Sequence, residues 1–486
     1  MLLFSSVAAL AFECGTLDHL DAIASAPRPP VSFAPPDGTL ELRDPFDAGP
    51  NLVTTEHFAI RWGAELSFST ATVDHVALAL EEIWDAEVNR LGWPQPTGTE
   101  AFKLNVYFGN SGGGTPIIVG ASAYVTVDEQ GYPYIVVSPD LLVAYDWGDT
   151  DSVPAVLAHE FMHTIQTTLG GFVYLDRAGW VWEASAEWVV PRVYPESAAI
   201  GNAVGAYALL PHVSVDHFDY PDEGTLIESH HYGAEVFLAY LTELAADDVL
   251  LKDLWFDSSP GDIPLESLAI SLGQRDVSLQ EAYLDFATRN VTFDDYAHGD
   301  RYAASTELFA QFYGDDDRRH AARVSRDGTD GWDEVPNRNR PWAYGYNHVI
   351  LRDPPGGKLA VGVEAYATGT EGSPTTLSAA LVVVEDEGVR VLPVLTDGDV
   401  GEINYTSDGN ELYLVLVVAA TPQTVVPEEQ FGYTFRMEWT ERAYAQVTGD
   451  GSDGPVSTQM VCGCNTGRSA TFAWLGLLPL WWRRRR

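Results

Sequence analysis

The sequence predicts an α+β fold: a small sheet combined with a helix-rich body, followed by an all-β sandwich. Three observations carry this. Short β-branched and aromatic runs separated by Gly-rich turns occupy the chain up to residue 137. Apolar residues recur at helical spacing in most of the segments from there to about residue 300. Beyond residue 358 the pattern switches to turn-punctuated strands, the signature of a sandwich. A chain of 486 residues with 46% apolar and 12% aromatic residues has the material for a sizeable interior and the length for more than one folded unit.

In chain order, Met1 to Phe12 is apolar and rich in small residues but has no preceding Lys or Arg, so residues 1–14 read as a possible signal segment. Residues 15–51 are largely Pro-, Gly- and Asp-rich and read as a linker or pro-segment. Glu56 to Trp62 alternates like a strand. Val73, Val76, Ala77, Leu80, Trp84, Val88 and Leu91 then mark an amphipathic helix that Gly92 and Pro94 stop. Strands are expected at Phe102 to Phe108, Ser122 to Val127 and Tyr134 to Val137. Helices are expected at Tyr232 to Leu244, Leu265 to Leu272 and Leu279 to Ala287, which closes a first domain at 52–310. Residues 311–340 are polar and read as a connector. Residues 341–445 carry the strands of the sandwich, 446–461 a second linker and 462–486 a distinct tail.

Charge excludes one class of partner. Twenty-seven Lys and Arg against 70 Asp and Glu leave a net charge of −43, which no phosphate backbone would attract, so nucleic acid is not expected as a partner. Three cysteines cannot build a disulfide framework, and the fold must stand on packing.

The chemistry concentrates in two stretches. His159-Glu160-Phe161-Met162-His163 is an H-E-x-x-H pattern in helical surroundings. Residues four apart share a helix face, so both imidazoles can grip one ion while Glu160 points toward the adjacent ligand position. The third ligand is expected at Glu183, within the aromatic-rich helical stretch Trp180 to Trp188 that Pro191 should stop. Two His and one carboxylate leave a fourth position for water, as in hydrolytic zinc sites. Glu187, one turn after Glu183, is placed to orient the outer nitrogen of a ligating His, His159 in this reading. His230-His231-Tyr232 supplies candidates for stabilising a developing oxyanion, Tyr232 first and His231 second. Ser122 to Val127 is the candidate strand for aligning an extended peptide, if it is an edge strand.

The H-E-x-x-H helix, a spacer of 19 residues and then Trp182-Glu183-Ala184-Ser185-Ala186-Glu187-Trp188 resemble the gluzincin branch of the zincin metallopeptidases, and are similar to secreted metalloproteases of myxobacteria. The resemblance covers about 30 residues. It implies a zincin-like domain of small mixed sheet, active-site helix and helical lower subdomain. It also implies Zn2+ on His159, His163 and Glu183, Glu160 as catalytic base, and a protein or peptide substrate. Glu187 departs from the thermolysin-like pattern, which has Asp there. Aminopeptidase gluzincins carry a Gly-x-Met-Glu-Asn segment, which does not occur in this chain, so an endopeptidase is expected.

The tail joins Cys462-Gly463-Cys464, an apolar run from Ala470 to Trp482 and four arginines, Arg483 to Arg486. It resembles the myxobacterial C-terminal (MYXO-CTERM) sorting signal. That implies transient insertion in the inner membrane, recognition by sorting machinery, and delivery to the cell surface or medium of a Gram-negative bacterium. A monomer is assumed. The competing expectation is a non-catalytic surface adhesin or binding protein with a structural metal site; Glu160 speaks against it, because a structural ion needs no base beside it.

Overall fold

The computed structural model describes residues 14–29, 35, 38–146, 148–173, 175–218, 226–245, 248–314, 319–366, 377–397, 400–422 and 429–442. The signal expected within residues 1–14, save Cys14, and the tail expected at 462–486 lie outside the described residues. The fold is mixed α and β, with three five-stranded sheets and many helices.

The first sheet contains β1 (Asn51–Thr54), β2 (Phe58–Trp62), β3 (Leu104–Phe108), β4 (Ala123–Val127) and β5 (Pro133–Val137) in the order β1-β2-β3-β5-β4. The β2, β3 and β5 strands run parallel, and β4 runs antiparallel to β5 at the sheet edge. Helix α1 (Thr70–Trp84) starts where the Ser69 side chain accepts the Thr72 N–H, and it buries Val73, Val76, Leu80 and Ile83. It continues as a π-turn over Asp85–Arg90, a wider coil that carries Glu87 into the interior.

Two helices frame the site. In α2 (Ser152–Leu169) every residue from Val153 to Gln166 is buried. The Asp149 carboxylate accepts the N–H groups of Asp151 and Ser152 at its start, and Gly170 in the left-handed conformation (φ 69°) ends it. The second, α3 (Leu175–Val193), runs past the expected stop: Pro191 lies inside it. A proline forfeits one backbone donor, and with only two helical residues after it the helix finishes its last turn anyway. Then follow the short α4 (His230–Gly233), α5 (Glu235–Ala245), α6 (Val249–Phe256), α7 (Pro264–Gly273), α8 (Leu279–Arg289), which starts with a Ser278–Glu281 capping box, and α9 (Gly299–Tyr313).

The sandwich pairs the sheet β11-β10-β14-β8-β6 with the sheet β12-β13-β9-β15-β7. Its strands are β6 (Ala322–Val324), β7 (Asp333–Glu334), β8 (Tyr346–Arg352), β9 (Gly357–Tyr366), β10 (Leu377–Glu385), β11 (Gly388–Pro393), β12 (Leu395–Asp397), β13 (Val400–Ser407), β14 (Tyr413–Ala420) and β15 (Gly432–Arg442). The stretch 311–340, expected as a connector, thus supplies one short strand to each sheet. In β8, β10 and β14, alternate residues enter two different cores. Val349, Leu351, Leu381, Val383, Leu414 and Leu416 fill the sandwich, whereas Tyr346, Ile350, Val382, Val384, Val415 and Val417 join the same apolar cluster as the helices. Strands covered on both faces read as unbroken apolar runs, which is why Tyr413–Ala420 is YLVLVVAA.

Candidate metal centre

Burial and helix spacing place the donors. His159 and His163 lie one turn apart on α2, and Glu183 projects from α3; all three are essentially buried. His163 Nε2 is 3.0 Å from His159 Nε2, His159 Nε2 is 3.1 Å from Glu183 Oε2, and His163 Nε2 is 3.6 Å from Glu183 Oε1. A fourth donor comes from the far N-terminal end of the described chain: Cys14 Sγ is 3.3 Å from His163 Nε2. Donor atoms of Cys14, His159, His163 and Glu183 all lie within 4.8 Å of one another, a group that could hold a metal ion.

The surroundings fix which nitrogen faces inward. His163 Nδ1 is 2.5 Å from Gln166 Oε1, an acceptor, so Nδ1 carries the proton and Nε2 presents a lone pair. Gln166 is itself held by donating to the Trp182 carbonyl (3.0 Å) and to Ser185 Oγ (2.9 Å). His159 Nδ1 is 3.1 Å from Glu187 Oε1, an ion-pair contact set off the line of a good hydrogen bond. His163 Nε2 is thus left to accept, facing His159 Nε2 and the Glu183 carboxylate, and a cation among these atoms would satisfy all three. Tetrahedral zinc with ligands at about 2.0–2.3 Å would hold its donors roughly 3.3–3.7 Å apart, close to the contacts above. The indole of Trp182 lies nearly parallel to the His163 ring, with centroids 6.1 Å apart.

Electrostatics point the same way. Burial penalises every charge in the cluster, yet the Cys14 sulfur and the Glu183 carboxylate outweigh it at His163, whose pKa is pushed up to about 10, so without an ion Nε2 takes up a second proton in the place a cation would fill. At Glu183, burial is outweighed by His163 and His159, and the carboxyl is held far below its ordinary range. Burial, followed by the Glu160 and Glu183 charges, raises the Cys14 thiol. The cluster attracts positive charge strongly.

Glu160 is fully buried beside these donors. Its Oε2 accepts from Thr16 Oγ1 at 3.0 Å, while Oε1 has no hydrogen-bond partner among the described residues. Burial raises its pKa, tempered by His163 and then His159. The Tyr232 hydroxyl reaches the same place, accepting the Cys14 N–H at 3.3 Å, with its ring 6.2 Å from His159. His231 sits behind it, packed on Tyr232 at 4.4 Å and Phe218 at 5.1 Å. Burial holds its pKa down to about 4, so it is a neutral imidazole at physiological pH. The structure thus gathers His159, Glu160, His163, Glu183, Glu187 and Tyr232 around one point and sets His231 one layer back.

Four residues of the site and its surroundings escaped the sequence. Gln166, three residues after His163 on the same helix face, had a readable signal in its spacing. Cys14 and Thr16 are separated from the motif by more than 140 residues, and nothing local marks them. Glu87, on the π-turn, is fully buried with both oxygens lacking a partner among the described residues; burial raises its pKa well above the ordinary carboxylate value, against the pull of His159 and His163.

Fold and site together define an α+β protein with a buried group of one Cys, two His and one carboxylate fit for a metal ion. Residues 47–444 match a family of unknown function (DUF6055), and the chain belongs to that family. No curated protein matches it. Among solved structures it is similar to the pre-peptidase C-terminal domain of a collagenase from Bacillus anthracis, with 10% identity over 25% of this chain and 100% of that domain. The TM-score of 0.17 is too low for that likeness to carry any argument.

Proposed function

We propose that this chain is a zinc-dependent peptidase of the zincin type, with the gluzincin ligand set His159, His163 and Glu183, cleaving within extended protein or peptide segments. The observation that carries the reading is Glu160: a buried carboxylate with one oxygen unpartnered, placed beside a convergent donor set. A structural metal site has no use for such a group. A zinc ion held by these residues supplies Lewis acidity, polarising a carbonyl and acidifying water.

Around that position the chain's own groups have distinct tasks. Glu160 accepts a proton at Oε1 and returns it to the leaving amine. Gln166, by its hydrogen bond, and Glu187, by its contact, keep the two Nε2 lone pairs directed inward. The Tyr232 hydroxyl donates to the developing oxyanion. The outer edge of β4 accepts an extended backbone, whose main-chain hydrogen bonds tolerate many sequences. Delivery to the cell surface belongs to the same reading and rests on the tail residues Cys462 to Arg486. No helix among the described residues is long and apolar enough to cross a membrane. The test is cleavage of a peptide library with and without chelator, by wild type and by Glu160→Gln. Chelator-sensitive cleavage that the variant loses supports the reading, and equal cleavage by the variant overturns it.

One observation favours a second reading. With Cys14 the donors number four, and four protein ligands make the closed sphere of a structural ion in a surface adhesin or binding protein. That reading expects metal retention and no cleavage, whether Cys14 is present or replaced.

A further inference from the structure

The segment that carries Cys14 makes several specific contacts in the cleft. Cys14 forms a parallel bridge with Ala123, and the Gly15 N–H donates to the Ala123 carbonyl at 2.9 Å, so the segment lies along the outer edge of β4. Thr16 Oγ1 accepts the Val125 N–H at 2.8 Å and donates to Glu160 Oε2. Gly15 passes so close to the strand that a Cβ there would lie 3.1 Å from Ala121 Cβ and 3.2 Å from Tyr124 Cβ. Beyond it Leu17 and Leu20 are buried in the main core, and His19 packs on Tyr124 at 4.3 Å. One short stretch therefore engages, at once, the edge strand, the base, the oxyanion donor Tyr232 and the donor cluster. It lies outside residues 47–444, the part of the chain that matches the family.

We infer that Cys14 is a removable fourth ligand of the ion held by His159, His163 and Glu183, and that Cys14–Thr16 is a built-in inhibitor lying where an extended substrate would lie. The inference rests on the peptidase reading and adds its regulation. The segment presents a sulfur rather than a peptide carbonyl to the donors, so it fills the site without offering a bond to break. As a ligand the sulfur is a thiolate, and its proton is released when it binds. On opening, the thiolate leaves, water takes its place and no electrons are exchanged. Thr16 leaves with it, which exposes both oxygens of Glu160 and the edge of β4 together. A latch closed at least nine-tenths of the time holds activity down by about tenfold or more.

The test uses the full chain loaded with cobalt(II) for spectroscopy and zinc for cleavage. Wild type is expected to show a sulfur-to-cobalt charge-transfer band in the near ultraviolet that Cys14→Ser lacks while keeping its cobalt. With zinc, Cys14→Ser should cleave library peptides at least about tenfold faster than wild type, as release of such a latch requires. Thr16→Val should give a smaller gain with the band retained, which guards against a misfolded first variant. An identical near-ultraviolet spectrum in Cys14→Ser overturns the inference, as does equal, chelator-sensitive cleavage by both proteins; in either case the peptidase reading stands if cleavage is seen. No cleavage by wild type or either variant sinks the peptidase reading and the latch with it, leaving Cys14 as a permanent structural ligand if the band is present.

Discussion

Two of the places where the chain buries polar side chains are solved differently. Between α8 and the sandwich, His348 Nε2 meets the Ala287 carbonyl at 3.0 Å, Asn290 donates to the Tyr346 hydroxyl at 3.0 Å, and the Tyr296 hydroxyl donates to Asn290 Oδ1 at 2.7 Å. Donors there meet acceptors, as a buried polar network requires. Between α2 and α3, the Nε2 atoms of two imidazoles meet each other and a carboxylate, while each Nδ1 lies near a further oxygen. The first arrangement is complete as it stands; the second crowds two ring nitrogens and a carboxylate, with a sulfur, into a space that could hold a metal ion. Buried histidines alone therefore say little, and the direction of their lone pairs says much.

Four outcomes would break or sharpen that contrast. The largest concerns the ligands: His163→Ala or Glu183→Ala should lower bound metal to background, whereas His348→Gln should leave metal content untouched, all read by elemental analysis. Glu160→Gln should keep the metal and lower cleavage by about a thousandfold, within the 10²–10⁴ range of a general acid–base group. Removing a partner of the imidazoles, in Gln166→Ala or Glu187→Gln, should weaken metal binding about 10- to 100-fold in a competition titration with a chelator.

The smallest concerns pH. Burial pushes the His348 pKa down to about 3, opposed by the Ala287 carbonyl, whereas in the unfolded chain it titrates near 6.5. Between those values only the unfolded chain takes up the proton, so His348 stabilises the fold fully above about pH 6.5 and progressively less as pH falls toward 3. The stability gap between wild type and His348→Gln, measured by denaturant unfolding, should shrink on acidification by at most about 1.4 kcal/mol per pH unit.

Much of the fold was legible because local chemistry and burial agree. The spacing from Val73 to Trp84 and the run Tyr413 to Ala420 report directly what covers them, whereas the alternation expected over Glu56 to Trp62 becomes a strand buried continuously from Phe58 to Arg61. The π-turn was not legible, since its residues continue a helical pattern, and neither were β6 and β7, whose two or three residues carry too little periodicity. At the site, His159, Glu160 and His163 announce themselves because one helix fixes their geometry, and Glu183 with Glu187 because a second helix repeats the device one turn apart. Cys14 and Thr16 could not be read, because what brings them there is the pairing of their backbone with β4, a contact between distant parts of the chain.

The most direct measurement is the divalent metal content of the purified full chain beside that of His163→Ala and Glu183→Ala, with far-ultraviolet circular dichroism to verify folding. One zinc ion per wild-type chain is expected, and none in either folded variant. A wild-type chain that holds no ion when supplied with zinc, or variants that keep it, would contradict the metal centre on which the proposed activity and its latch depend.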